Sequence, residues 1–130
     1  MPAPGSATYS VAAKVAAHQA FANLIDAGAG AGLIKVRDSG DVLLGTIILD
    51  DPAGSVNGGT GQLTFAIDTN DASADASGTI AYVEFTDSDG TVQLSLPAQQ
   101  GGSAVSGYAV FNTLTVIAGA PLEIVSATIG

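Results

Sequence analysis

Gly78-Thr-Ile-Ala-Tyr-Val-Glu-Phe-Thr-Asp-Ser-Asp-Gly-Thr-Val-Gln-Leu-Ser-Leu96 decides the fold class. Two alternating runs flank Asp87-Ser88-Asp89-Gly90, and Asp-Gly between such runs is a strong short-range hairpin signal. Thr79, Ala81, Val83 and Phe85 are expected on one face, with Ile80, Tyr82 and Glu84 on the other. Beyond the turn, Val92, Leu94 and Leu96 form an apolar row opposite Thr91, Gln93 and Ser95. The stretch reads as antiparallel sheet.

Working outward from this hairpin, further strands are expected at residues 33–37, 42–49, 62–68, 108–111, 114–117 and 122–129. Asp50-Asp51-Pro52 is expected to close the second of these, because proline cannot donate to a ladder. Residues 54–61, 69–77 and 97–107 read as loops rich in glycine and small polar residues. Before the strands, residues 11–27 carry helical periodicity, with Val11, Val15, Ala22 and Ile25 on one stripe and Lys14 and Phe21 at its edge. Ser10 is the expected N-cap and Gly28 the stop signal. Residues 1–10 read as an extended arm, and residues 11–130 as one domain. Short strands at turn-spaced intervals suggest a β-sandwich or barrel, and the expected fold is mainly β: an antiparallel β-sandwich, jelly-roll-like or Ig-like, of seven to eight short strands over residues 33–130 with one N-terminal α-helix.

Composition narrows the partners. Three basic residues against twelve acidic ones give a net charge of −9. That argues against nucleic acid, whose phosphates call for clustered lysine and arginine, and against an anionic membrane surface. The 130-residue chain contains no cysteine, so disulfides and thiolate metal sites are excluded. No stretch has the basic-then-apolar layout of a secretory signal, and no apolar run approaches the ~20 residues that span a bilayer. A soluble protein is expected.

Several residues carry groups capable of chemistry. Asp87, Ser88 and Asp89 place carboxylates at alternate positions like the opening of a calcium loop, but the twelfth position from Asp87 is Ala98 where such a loop needs glutamate. A hairpin turn is the preferred reading. Asp50 with Asp51, and Asp68 with Asp71 and Asp75, read as solvated loop carboxylates rather than a calcium site. His18, the one histidine, lies on the apolar side of the helix and reads as a packing or interface residue. The 54–61 loop lacks the lysine of a phosphate cradle, and Tyr9, Tyr82 and Tyr108 form no aromatic platform for a sugar. No nucleophile elbow, Walker loop, dinucleotide fingerprint or zinc-protease motif is present. No catalytic, metal or cofactor residues are assigned, and the protein is expected not to be an enzyme.

The order of elements supplies a different lead. The helix runs into Leu24-Ile-Asp-Ala-Gly-Ala-Gly-Ala-Gly32, followed by a strand at 33–37, by Leu43-Leu-Gly-Thr-Ile-Ile-Leu-Asp-Asp-Pro52 and by Ser77-Gly-Thr-Ile-Ala-Tyr-Val-Glu-Phe-Thr-Asp-Ser-Asp-Gly90. The chain then passes through Asn112-Thr-Leu-Thr-Val-Ile-Ala-Gly-Ala-Pro121 into an alternating last strand. From Tyr9 onward this pattern resembles a family of small virion structural proteins of tailed bacteriophages. The resemblance implies a capsid decoration or cement protein on the head exterior, made in the bacterial host cytoplasm. It implies as partners the major capsid protein and further copies of the chain, as a homotrimer or a homodimer. The expected anchor is the arm with the helix, since an amphipathic helix needs an apolar partner. A neck or tail component, or a carbohydrate- or calcium-binding β-sandwich module, is the alternative.

Overall fold

The computed structural model describes residues 10–130, so the expected arm lies outside the described residues except for Ser10. Helix α1 spans Val11–Asp26. Ser10 caps it in an extended conformation, its Oγ accepting from the Ala13 N–H at 3.1 Å. The helix ends where Ala27 donates to the Leu24 carbonyl and Gly28 takes a φ of +124°. Its buried face is His18, Ala22 and Ile25, spaced four and three residues apart. The expected stripe holds in the second half of the helix, whereas Val11 at its start is exposed.

Nine strands follow: β1 Leu33–Arg37, β2 Leu43–Val56, β3 Leu63–Thr69, β4 Gly78–Thr79, β5 Tyr82–Thr86, β6 Val92–Gln100, β7 Ala109–Phe111, β8 Thr115–Val116 and β9 Ile124–Ile129. Seven of them form one sheet in the order β1-β2-β3-β9-β7-β6-β5, and β5 pairs back onto β1, closing a barrel. The mainly-β class with one helix is as expected, but the two-layer sandwich is replaced by this barrel. The physical reason lies in β5 pairing back onto β1 and in two long strands that each pass from one neighbour to the other along their length. The first half of β2 pairs with β1 and its second half with β3; likewise β6 pairs first with β5 and then with β7. One continuous ladder therefore bends around the core, and no second sheet is needed. Six of the seven neighbour pairs are antiparallel, while β6 and β7 run parallel.

Pro52 does not end β2. The ladder pairs Leu49 with Ile67 and resumes at Gly54 with Phe65, so residues 50–53 bulge out of it. Pro52 is exposed within that bulge, where no ladder donor is required. Ala53, the last bulged residue, turns inward to full burial and donates its N–H to Asp26 Oδ1 at 2.8 Å, tying the bulge to the end of α1. Gly54 follows where a Cβ would stand 2.4 Å from the Thr64 carbonyl oxygen, so only glycine fits the approach of β2 to β3. Residues 54–56 are thus strand rather than loop, as are residues 97–100 at the end of β6.

The opening hairpin is also refined. Val83 and Phe85 point inward and Tyr82 and Glu84 are only partly buried, as alternation predicts. Ile80 nevertheless is buried, because 78–86 is two strands, with β4 leaving the barrel to pair with β8. A register shift between Phe85 and Thr86 sets Val92 opposite Thr86, and Val92 is 45% exposed while Leu96 is buried. A bulge has moved one member of the expected apolar row to the outer face.

Inside the barrel, Phe65 and Phe85 stack with ring centroids 4.2 Å apart, among Ile34, Val36, Leu44, Ile47 and Phe111. At the end marked by the 57–62 and 87–91 turns, α1 lies across β2, β3 and β6. The opposite end is covered by the β4–β8 ribbon and the 70–77 and 118–122 segments, which contribute Ala74, Ile80, Val116 and Leu122 to the core.

Candidate functional site

Of the loop carboxylates considered for calcium, Asp87 and Asp71 are spent on backbone amides. Asp87 Oδ1 accepts from the Asp89 and Thr91 N–H groups, both at 3.0 Å, which makes the 87–90 segment a carboxylate-closed turn. Asp38 Oδ1 does the same for Gly40 and Val42 at 2.8 and 2.9 Å. Asp71 reaches further: Oδ2 accepts from Thr46 at 2.9 Å and Oδ1 from Ser73 at 3.0 Å, while its backbone pairs with Leu122. Asp68 accepts from the Thr69 hydroxyl, and Asp50, Asp51 and Asp75 are exposed. Among the described residues, no three His, Cys, Asp or Glu side chains converge on a point that could hold a metal ion.

His18 is 4% exposed and its Nδ1 lies 2.5 Å from the Gly61 carbonyl oxygen, the bond requiring the proton on Nδ1. Its ring also faces Phe21 at 6.4 Å between centroids and abuts Gly130. It therefore fastens the helix to the β2–β3 turn and to the end of β9, a packing residue as read from the sequence. The 57–61 segment is held by its own Asn57, whose Oδ1 accepts from Gly59 and Thr60. Tyr9 lies outside the described residues.

The most ordered polar constellation is one that the sequence does not announce. On the outer face of the barrel, the Arg37 guanidinium donates through Nε to Glu84 Oε1 and through Nη1 to the Asp41 carbonyl at 3.0 Å. Tyr82 donates its hydroxyl proton to Asp41 Oδ1 at 2.5 Å. Asp41 holds this position with a positive φ of 64°. The hydrogen bond to Asp41 comes first among the causes that push the Tyr82 hydroxyl up to about 12, with desolvation and the Asp41 and Glu84 charges adding to it. A phenol so held donates a hydrogen bond at neutral pH and does not act as a base. Glu84 was legible as an outward residue of the hairpin. Its pairing with Arg37 depends on β1 meeting β5 across 47 residues, for which no local signal exists.

A shallow cleft of about 350 Å³ opens at the β4–β8 end, lined by Asn112, Thr113, Thr115, Pro121, Leu122 and Glu123. Within it, Thr113 Oγ1 accepts from the Thr115 N–H at 3.2 Å, a bond internal to the chain. No helix among the described residues is long and apolar enough to cross a membrane. Comparison of the chain with models of protein families, with curated proteins and with solved structures finds no match.

Proposed function

We propose that this protein is a structural component of a tailed-phage virion, a decoration or cement protein that stabilises the head by binding the outer surface of the major capsid protein lattice. The observation that carries the binding half of this reading is the filled barrel. Stacked Phe65 and Phe85 occupy the interior and both ends are covered by the chain itself, so contact with a partner runs through the outer surface. The phage half rests on the resemblance in element order set out above. In this role many modest contacts add through multivalency. A cyclic homo-oligomer, a trimer first and a dimer second, would place the copies on a capsid symmetry axis.

The anchoring expectation narrows. The apolar partner of α1 is its own barrel, through His18, Ala22 and Ile25, so the helix has no need of a capsid groove. Residues 1–9 remain the candidate anchor. The test is to image virions by electron microscopy and to rebind purified protein to heads that lack it. Density on the head exterior, with heads that withstand heat better once rebound, is the expected result. Density confined to neck or tail, or no association with virions, would overturn the proposal. Separately, a chain lacking residues 1–9 that binds heads undiminished would remove the arm from the interface.

A further inference from the structure

The parallel pairing of β6 with β7 forces a connection that the rest of the barrel does without. β7 runs parallel beside the last three residues of β6, with Ala109 opposite Ala98 and Phe111 opposite Gln100, so residues 101–107 must fold back along the barrel before β7 can start. With the interior filled, they return outside it. Val110, whose neighbours Ala109 and Phe111 belong to the core, points outward yet is fully buried, and a Cβ on Gly101 would stand 3.4 Å from its Cγ1. At the far end of the crossover, Gly107 donates its N–H to the Thr128 carbonyl at 2.8 Å.

Two hydroxyls share this shielded outer face. Ser126, opposite Val110, and Thr128, opposite Thr64, lie two residues apart on β9. Thr128 is 3% exposed. Ser126 Oγ and Thr128 Oγ1 are both buried, and neither finds a hydrogen-bond partner among the described residues. A buried hydroxyl left without a partner costs more than a typical hydrogen bond gains, and two of them side by side on one strand mark a polar site. Residues two apart on a strand are about 6.6 Å apart, a span that water bridges as one molecule or as a pair.

We propose that Thr128 and Ser126 hold buried water between β9 and the 101–107 crossover, and that this hydration site fastens the crossover to the barrel. Such a water takes two to four hydrogen bonds, here from the two hydroxyls and from the backbone of the crossover. The ligand class is water itself, the smallest group that both donates to and accepts from two hydroxyls. The inference concerns the barrel alone and stands whatever the protein binds.

The test compares wild type with T128V, which keeps shape and removes the hydroxyl, and T128S, which restores it. A high-resolution crystal structure of the wild type is expected to place an ordered water within hydrogen-bond reach of Thr128 Oγ1, retained in T128S and lost in T128V. Thermal unfolding of T128V is expected about 3 °C or more below wild type, with T128S recovering part of the loss. Were the hydroxyl an unpartnered group, T128V would instead match or exceed wild type. That result, or the absence of the water from the wild-type crystal, overturns the proposal.

Discussion

Replacing Ile25 by alanine tests whether α1 is part of the barrel or an appendage free to dock elsewhere. Ile25 is fully buried, and it packs so closely on the connector that a Cβ at Gly32 would meet its Cγ2 at 2.3 Å. The substitution removes three carbons, worth about 0.8 kcal/mol each in transfer free energy. A cavity beneath the helix adds to this, because Gly32 and the Thr86 backbone beside it cannot collapse into the space. We expect a loss of about 3–4 kcal/mol, within the ~2–5 kcal/mol typical of such truncations and a large share of a total near 5–15 kcal/mol. Urea unfolding followed by circular dichroism measures it, as a lower midpoint at unchanged slope. Leu24→Ala is the control. Leu24 is adjacent in sequence but 47% exposed, so its loss should stay within about 0.5 kcal/mol. An I25A loss below about 1 kcal/mol, or a helix that melts in a separate earlier transition, would refute the claim that the helix belongs to the core.

Gly54→Ala drives a methyl against the Thr64 carbonyl, where a Cβ has 2.4 Å; backbone cannot yield as a side chain can, and a loss of about 1–3 kcal/mol is expected by denaturant unfolding. In alkaline titration, Tyr82→Phe should delete a phenolate absorbance phase near 12. Because folding raises that group above its ordinary value of 10.0, its stabilising contribution is present below about 10 and is lost as pH rises towards 12, so the wild type and Y82F should converge in stability over that window. Asp26 is raised from 3.8, chiefly by burial and against the lowering effect of the Ala53 N–H. A carboxyl raised by folding destabilises the native state once ionised, so the stability of D26N relative to wild type should improve as pH rises through the carboxylate range. A stability difference between D26N and wild type that does not change with pH would sink that reading.

Much was settled locally. Ser10, the alanine-rich run and Gly28 set the bounds of α1, because capping and chain stops act within a few residues. The 87–90 turn was legible because Asp87 bonds to amides two and four positions away. The burial of His18, read from the sequence as a packing or interface residue, follows from its side of the helix and so from spacing alone, although Gly61 as its partner does not. The Arg37–Glu84 and Tyr82–Asp41 pairs could not be foreseen, because they exist only where β1 and β5 meet.

Sequence by itself determined the helix, the position of most strands and the strand-rich class, since alternation and turn chemistry are encoded by neighbours. Tertiary structure decided that the sheet closes. A period of two is the same in a sandwich and in a barrel, and the difference rests on β5 pairing back onto β1, while β2 and β6 pass from one neighbour to the other along their length. It also decided that Pro52 sits in a bulge and that Val92 faces outward, because a bulge is a mismatch between two strands and neither strand carries it alone.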